Sequence, residues 1–355
     1  MTNNFNQRIA NHKLQQLFWE CTLRCNLNCK HCGSDCRISN AITDMPFADF
    51  IPVLESVAQN VPDTKKVIIT LSGGEPLMRN DLAICGKEIR QLGFPWAMVS
   101  NGMLLTKEKL EELIDAGLRA ITISIDGFED AHNWLRGNIV SFENAVSAIK
   151  NLVQSPKQIS WDVITCVNQK NYKKLLFFKD FLYMIGVRSW RLFTIFPSGR
   201  AIDNPELFLS SLQFENLMHF IVRIKQEGKM KINYSCEGYL GNFENRVRYY
   251  PFFCQSGVNI ATILADGSIS GCMSIRDNKF IQGSIYNSDF YEVWNNKFKI
   301  FRDKTWAKTG MCKDCNAYED CLGGSMHLRN KNSNLSICRL DYLNKNNLPS
   351  PPNLY

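Results

Sequence analysis

Three cysteines early in the chain have the spacing of a metal-binding loop. The segment CTLRCNLNCKHC contains Cys25, Cys29 and Cys32 in a C-x3-C-x2-C arrangement, directly after a run that predicts a strand over 17–22. A loop this short brings three thiolates round one metal centre, and thiolates are the soft ligands that iron prefers. Three ligands leave one iron of a four-iron cluster open, whereas structural zinc sites have four protein ligands. We therefore predict a four-iron cluster, with a zinc loop or a set of buried thiols as the alternative.

A second concentration of cysteines lies in the last third of the chain. Four thiolates there suit either a closed four-iron cluster or a zinc ion, and spacing alone does not separate the two. Further upstream, Cys254 and Cys272 flank the dipeptide Asp266-Gly267, a strong hairpin signal. The four downstream cysteines are Cys312, Cys315, Cys321 and Cys338.

Composition indicates the compartment and excludes several classes of protein. The chain has 355 residues, 14 of them cysteine, and a formal net charge of +7. No run of eighteen apolar residues is present, so we expect no membrane span, and the N-terminus lacks the features of a secretory signal. We therefore expect a cytoplasmic protein whose cysteines bind metal rather than form disulfides. Basic residues form no block, so nucleic-acid binding is not expected.

Short β-rich runs alternate with amphipathic helical stretches from about residue 15 to 197. Six repeats of this kind predict an α/β fold, a partial (β/α)6 barrel of parallel strands. The predicted strands span 17–22, 67–71, 95–100, 120–125, 159–167 and 189–196. The predicted helices span 46–59, 80–92, 106–116, 141–154 and 171–185. Capping signals are Thr106 and Ser141 at helix starts, Gly93 and Gly117 at helix ends, and Ser210 with Gln213 for a further helix.

The pattern changes after residue 230, which divides the chain into three parts. We predict the barrel over 1–230 and a small cysteine-rich domain with a β-hairpin over 231–345. The tail over 346–355 contains LPSPPNLY and is expected to be disordered.

The first cysteine motif resembles the signature of the radical S-adenosylmethionine (SAM) superfamily, in which an open iron binds the amino and carboxylate groups of SAM. His31 stands where that family usually has an aromatic residue or histidine. The family also has a GGEP-like element after the second strand, and LSGGEP occurs there in this chain. Elements after the third and fourth strands, SNG and SIDGFEDAHNWLRG, are similar as well. By this resemblance the candidate SAM-binding residues are Gly73, Gly74, Glu75, Pro76, Asn101, Ser124, Asp126 and Arg136.

The C-terminal cysteines resemble the SPASM extension of radical SAM peptide-modifying enzymes, which carries up to two auxiliary four-iron clusters. In that pattern one further cysteine falls where this chain has Ser325. The resemblance therefore implies one complete auxiliary cluster, at Cys312, Cys315, Cys321 and Cys338, and leaves the second site incomplete. The second site has Cys254 and Cys272, with Cys236 and His327 as candidates to complete it. FWECTLRCNLNCKHCGSDC and YEVWNN further resemble a subgroup encoded beside small lipoproteins.

The resemblance implies reductive cleavage of SAM to a 5′-deoxyadenosyl radical, which abstracts hydrogen from a substrate. SPASM enzymes commonly modify peptides, so we expect a peptide or protein side chain as substrate and a flavodoxin- or ferredoxin-type electron donor. A small-molecule or cofactor-building enzyme is the first alternative. A non-catalytic iron–sulfur electron carrier is the second, although a carrier would need a fourth protein ligand at the first cluster.

Replacing Cys25, Cys29 and Cys32 together by alanine should abolish 5′-deoxyadenosine formation, because no thiolate would remain to hold the first cluster. The fold and the C-terminal iron should be largely retained. Anaerobic assays with SAM and a reductant, read by chromatography, measure the product. Undiminished SAM cleavage in the triple variant would exclude the proposed ligands.

Overall fold

The computed structural model describes residues 2–37, 42–235, 237–330, 332 and 334–344. Its centre is a single sheet that contains ten strands within those residues. They are β1 (Gln16–Thr22), β2 (Ile68–Gly73), β3 (Trp96–Ser100), β4 (Leu118–Ser124), β5 (Ser160–Val167), β6 (Ser189–Thr194), β7 (Lys231–Tyr234), β8 (Ile260–Ile263), β9 (Ser268–Ser270) and β10 (Gly283–Ser284).

The sheet is open, with the strand order β10-β9-β8-β1-β2-β3-β4-β5-β6-β7. Strands β1 to β7 pair in parallel with their sequence neighbours, and β8 pairs in parallel with β1. Strands β9 and β10 are added antiparallel beyond β8. Because parallel strands end at the same edge, the loops after β1, β2, β3 and β4 meet on one side of the sheet.

Helices connect the parallel strands. The α-helices are α1 (Thr2–Asn11), α2 (Phe47–Asn60), α3 (Leu82–Gln91), α4 (Lys107–Asp115), α5 (Glu129–Arg136), α6 (Ser141–Gln154), α7 (Leu175–Met184), α8 (Ser211–Glu227), α9 (Glu244–Val247), α10 (Phe290–Asn296), α11 (Lys299–Arg302), α12 (Tyr318–Cys321) and α13 (Arg339–Asn344). Within the described residues, no helix is long and apolar enough to cross a membrane.

Large aromatic side chains fix the helices on the sheet. Trp19 of β1 is fully buried and stacks on Phe50 of α2 with ring centroids 4.6 Å apart. Trp190 of β6 meets Phe178 of α7 edge to face at 6.0 Å. Such contacts bury large apolar areas and hold each strand against its helix, so the loops at the strand ends have fixed starting points.

The predicted α/β class with a parallel sheet is confirmed, and each of the six predicted strands is present. The caps at Thr106 and Ser210 are also confirmed; Gln213 completes a capping box with Ser210. The prediction for Ser141 is wrong. Val140 is the N-cap residue, and the Ser141 hydroxyl instead hydrogen bonds to Asn133 Oδ1 at 3.0 Å.

The sheet continues past residue 230. Strand β7 pairs with β6, and the hairpin of β8 and β9 extends the sheet on the other side of β1. The cysteine-rich segment therefore shares a sheet with the barrel strands. The domain boundaries stay a prediction, and the whole predicted tail over 346–355 and Cys236 lie outside the described residues.

Helix α3 lies so close to β3 that Gly86→Ala should destabilise the protein. A Cβ atom at Gly86 would lie 2.4 Å from Cζ2 of Trp96, which is fully buried. Overpacking of this kind costs about 1–3 kcal/mol of unfolding free energy. Thermal or denaturant unfolding measures it, with Lys87→Ala on the exposed face of the same helix as the control. Equal stability of the two variants would contradict the packing described.

Candidate active site

The three cysteines of the first motif line one cavity at the carboxyl edge of the sheet. Their loop leaves β1 and is closed at its base, where Cys25 N donates to Arg37 O at 2.7 Å. Cys25 and Cys29 are buried, and Cys32 is partly exposed. The cavity has a volume of about 180 Å³ and is bounded by the cysteine loop, the ends of β2, β3 and β4, and α5.

Five of the eight predicted SAM-binding residues line this cavity, and three lie behind it. Glu75, Pro76 and Asp126 are buried and sit outside the cavity wall. Their place in the fold therefore favours a positioning role over direct contact. The five residues in the wall are Gly73, Gly74, Asn101, Ser124 and Arg136.

Gly73 and Gly74 allow two loop backbones to touch. Gly74 N donates to Thr22 O at 2.8 Å, so the loop after β2 lies directly on the chain that leads into the cysteine loop. A Cβ atom at Gly74 would lie 2.1 Å from Arg24 O, and Gly73 has a φ of 123° that side chains disfavour. The packing of these two loops therefore requires both glycines, whether or not a ligand also approaches their backbone.

Glu75 connects this loop to the end of β3. Its Oε1 accepts hydrogen bonds from Leu77 N at 3.2 Å and Ser100 Oγ at 2.9 Å, and its Oε2 accepts one from Asn101 N at 2.7 Å. Burial raises the pKa of Glu75 to about 7, although the hydrogen bonds favour the carboxylate and oppose that shift. Because both oxygens are used, Glu75 positions Asn101 rather than facing the cavity.

Arg136 projects into the cavity from the end of α5 and is held there by Asp126. Its Nε donates to Asp126 Oδ2 at 2.6 Å, and its Nη1 lies 3.8 Å from Cys29 Sγ. Burial acts to raise the pKa of Asp126, but the charge of Arg136 and smaller contributions such as a hydrogen bond from Cys166 N together outweigh it, and the pKa is lowered. A guanidinium so placed suits both a thiolate and a ligand carboxylate.

Sequence reasoning missed Arg200, which clamps the cysteine loop from the segment after β6. Its Nε donates to Cys29 O at 2.7 Å, its Nη1 donates to Cys36 O at 3.1 Å, and its backbone N donates to Cys32 O at 3.0 Å. Arg200 also lines the cavity. Local sequence patterns do not indicate these contacts, because they span more than 160 residues of sequence.

Cys36 also lines the cavity, although it lies outside the C-x3-C-x2-C motif. A hydrogen bond from the Cys36 thiol lowers the pKa of Cys32 to about 5. Cys32 is therefore predisposed to the thiolate form that binds metal. His31, beside it, is buried, and burial lowers its pKa to about 3, so its imidazole is neutral.

Three of the four downstream cysteines lie within electrostatic range of one another. Burial, together with the thiols of Cys338 and Cys312, raises the pKa of Cys321 to about 12. Burial also raises the pKa of Cys338, while the backbone amides of Asp341 and Leu340 oppose the change. Cys315 lies three residues after Cys312, past the end of the short helix Gly310–Cys312. These residues stay the predicted ligands of one auxiliary cluster.

At the second predicted auxiliary site, Cys254 and Cys272 are close neighbours. Burial raises the pKa of Cys272, the Cys254 thiol adds to the effect, and the Ser274 amide opposes it. His327 has other neighbours. The centroid of its ring lies 4.6 Å from that of Phe196, and the charges that act on it are those of Glu237 and Arg339. Cys236 lies outside the described residues.

Comparison with known proteins identifies the family. Residues 19–182 match the radical SAM superfamily, and residues 254–316 match the SPASM iron–sulfur cluster-binding domain. The chain belongs to the radical SAM superfamily. This radical SAM protein is 25% identical over 323 residues to an AdoMet-dependent heme synthase of Methanosarcina barkeri, which covers 86% of this chain and 89% of the relative. It is also 25% identical over 321 residues to the mycofactocin maturase MftC of Mycolicibacterium smegmatis, at 87% and 77% coverage.

Solved structures share the fold. Streptococcus suis SuiB bound to S-adenosylmethionine superposes with a TM-score of 0.70 at 15% identity, covering 92% of this chain and 77% of SuiB. The enzyme anSMEcpe with bound AdoMet superposes with a TM-score of 0.73 at 16% identity, covering 94% and 95%. The cofactors of this radical SAM protein are therefore 4Fe–4S clusters and SAM.

The described site fits an anionic cluster and a ligand with a carboxylate. Arg136 lies beside Cys29 Sγ, and Asn101 Nδ2 lies 3.9 Å from Cys25 Sγ, so cationic and N–H groups face two of the sulfurs. Such donors stabilise thiolates that bind iron. Within the described chain, no three or more His, Cys, Asp or Glu side chains are arranged to hold one single metal ion. The ligands of a four-iron cluster each bind a different iron.

Arg136→Ala should weaken SAM binding and also lower stability, because Asp126 would remain buried without its partner. We expect at least a tenfold loss of SAM affinity, since a charged hydrogen bond contributes about 1.5–3 kcal/mol. Iron content should not change. Isothermal titration and thermal unfolding measure the two effects.

The double variant Asp126→Asn/Arg136→Ala is the matched control for this prediction. It removes the buried charge and should recover much of the lost stability without recovering SAM affinity. Recovery of both properties would show that Arg136 acts only through the fold.

Proposed function

We propose that this radical SAM enzyme abstracts a hydrogen atom from a side chain of a peptide or protein. When bound, the reduced cluster and SAM supply a 5′-deoxyadenosyl radical as the hydrogen-abstracting species. An electron donor of the flavodoxin or ferredoxin type belongs to the same proposal.

A second cavity next to the cysteine loop supports this proposal. It has a volume of about 140 Å³ and lies between the segments 197–198, 274–277 and 327–330. Ser198 in its wall lies within 4 Å of the Cβ position of Gly33, the residue after Cys32. On the opposite side, Ser274 in the wall follows Cys272 by two residues. The cavity therefore lies between the first cysteine motif and the second auxiliary site.

The charges round this cavity suit a peptide better than a molecule rich in carboxylates. Both arginines in its wall are already engaged: Arg276 is ion-paired with the fully buried Glu20, and Arg329 Nη2 donates to Gly323 O at 2.6 Å. Asp277 contributes a negative charge, and His327 is neutral because burial lowers its pKa to about 4. A tetrapyrrole would need cations for its propionates, whereas peptide groups need hydrogen bonds from neutral side chains. This balance of charge is the observation that carries the proposal.

Two structures with the same fold were determined with peptides: SuiB with the precursor peptide SuiA, and anSMEcpe with the Cp18Cys peptide. Their fold accommodates a peptide, which is consistent with the proposal. In this chain, His327 lies in the cavity wall with its ring tilted against that of Phe196 at 4.6 Å, and it would restrict the orientation of an entering side chain.

A small-molecule substrate is the second candidate. The similarity to heme synthases covers 86% of the chain, and a pre-heme d1 synthase is 23% identical over 339 residues. These relatives favour a tetrapyrrole over other small molecules. A non-catalytic electron carrier is disfavoured, because the first site has three cysteines and a cavity beside them.

Anaerobic turnover with two substrates separates the candidates. A small peptide encoded beside the gene should raise 5′-deoxyadenosine formation above the substrate-free rate and should itself change in mass. His327→Asn should slow the peptide reaction while leaving substrate-free SAM cleavage unchanged, because His327 lies away from the first cavity. Mass spectrometry measures both products. Stimulation by iron-coproporphyrin, with no change in any peptide tested, would overturn the proposal in favour of the second candidate.

A further inference from the structure

Two lysine side chains meet on one indole ring beside the cysteine loop. The ammonium of Lys30 lies 5.3 Å from the centroid of the Trp134 ring, and that of Lys170 lies 4.6 Å from it. Neither lysine has an ion pair with a carboxylate in the part of the chain that the structure describes. Two cations held at one ring repel each other and create a positive potential that attracts an anionic partner.

The loop that carries Lys170 is fixed by two buried asparagines. Asn171 is 2% exposed, and its Nδ2 donates to Asp126 O at 2.8 Å and to Cys166 O at 2.9 Å. Asn168 is 1% exposed, and its Oδ1 accepts from Lys170 N at 2.9 Å. The backbone of Lys170 is therefore held in place before a partner binds, which lowers the entropy cost of binding.

The same loop carries two further exposed lysines, Lys173 and Lys174. Lys174 pairs with Asp130 at 2.9 Å, whereas Lys173 has no ion pair among the described residues. The exposed Glu129, next to Asp130, contributes one negative charge, so the lysines leave this region positive. We call it the lysine surface, and it consists of Lys30, Trp134, Lys170 and Lys173.

The lysine surface lies beside the part of the loop that carries Cys29. Lys30 follows Cys29 directly, and its backbone N donates to Leu135 O at 2.9 Å, which fixes the loop on α5. Two positions after Trp134 on the same helix, Arg136 reaches Cys29 Sγ at 3.8 Å. The loop backbone and the end of α5 thus separate the lysine surface from a predicted ligand of the first cluster.

The other basic side chains of the cysteine loop are paired with carboxylates. Arg24 pairs with Asp44 at 2.5 Å, and Arg37 pairs with Asp35 at 3.1 Å. Uncompensated positive charge on the described part of this loop is therefore found at Lys30. An anionic partner that approaches the loop is attracted to this side rather than to the others.

We propose that the lysine surface is the docking site of a small acidic one-electron carrier of the flavodoxin or ferredoxin type. Charge complementarity supports this occupant, because a carrier with carboxylates round its redox centre would be steered to the side of Cys29. Trp134 offers an apolar contact among the cations, and tryptophan is enriched at the centres of protein interfaces. Electron-transfer contacts are small, so a surface of this size is sufficient.

One electron leaves the reduced carrier and enters the oxidised first cluster, and no bond forms or breaks in this step. The inference rests on the donor type named in the proposed function and adds the surface that receives it. It does not depend on the identity of the substrate.

The test uses the full chain with its clusters reconstituted, and flavodoxin as the carrier. Lys30→Glu/Lys170→Glu reverses both charges at the ring. It should weaken the binding of oxidised flavodoxin about tenfold at low ionic strength, because two attractions become repulsions. Added salt should reduce the difference, since exposed charges are screened beyond about 10 Å at 0.1 M salt. Isothermal titration measures the dissociation constant.

The same variant should form 5′-deoxyadenosine more slowly when flavodoxin, its reductase and NADPH supply the electrons at low donor concentration. With dithionite, a small reductant that needs no docking surface, its rate should equal the wild-type rate. Both assays run without a peptide. Failure of the docking inference is therefore distinguishable from failure of the proposed function, which would appear as an unmodified peptide in the dithionite assay.

Two matched pairs separate local charge from structure and from net charge. Lys30→Arg/Lys170→Arg keeps both cations and should behave like the wild type. Lys87→Glu/Lys150→Glu changes the net charge equally at exposed lysines of α3 and α6 and should have little effect. If the glutamate pair at the ring does not fold, the neutral pair Lys30→Gln/Lys170→Gln is measured in the same way.

Three results would overturn the proposal. The first is unchanged flavodoxin binding and unchanged rates in the glutamate pair at the ring. The second is an equal loss of rate with dithionite, with or without peptide, which would show that the lysines act on the cluster site or on the substrate. The third is an equal loss of binding in the pair on α3 and α6, which would show a response to net charge rather than to this surface.

Discussion

Two backbone hydrogen bonds join the cysteine loop to the loop after β2, and the candidate active site is arranged round them. Gly74 N donates to Thr22 O, and Glu75 N donates to Arg24 O at 2.9 Å. Because the loops touch through backbone atoms, the position of Cys25 is linked to the end of β2. Glu75 then carries the link to β3 through Ser100 and Asn101. Three strand ends are thus held in one fixed arrangement by groups that are themselves buried.

From the opposite side, Arg136 and Arg200 complete this arrangement. Asp126 neutralises Arg136 in the interior, whereas Arg200 donates to main-chain carbonyls of the cysteine loop and is ion-paired with Asp35. Both arginines therefore stay fixed beside the sulfurs without isolated charge. The cysteine loop is held by contacts with at least three other segments, which explains how a loop of irregular structure can present thiols at defined positions.

Much of this organisation could be predicted from the sequence, because it follows from local patterns. Alternating apolar runs predicted six strands, and the capping residues and glycines predicted the starts of α4 and α8 and the ends of α3 and α4. The prediction of Ser141 as an N-cap residue was wrong because Val140 occupies the capping position. The hydroxyl of Ser141 instead donates a hydrogen bond to Asn133, eight residues earlier. Helix α5 was missed, since its N-cap residue is Phe128, which gives no capping signal in the sequence. The roles of Glu75 and Asp126 as buried supports, and of Arg200 as a clamp, depend on contacts between distant segments, which spacing does not reveal.

Strand β1 pairs with one strand that follows it closely in sequence and with another from the last third of the chain. It pairs with β2 on one side and with β8 on the other, with Gln16 opposite Ile260. During synthesis, β1 cannot complete its hydrogen bonding until residue 263 has left the ribosome. Until then one edge of the strand that leads into the cysteine loop is exposed, and exposed edges pair with other chains. A fragment ending before β8 would keep this edge permanently, so the protein is expected to aggregate rather than fold when its last third is removed.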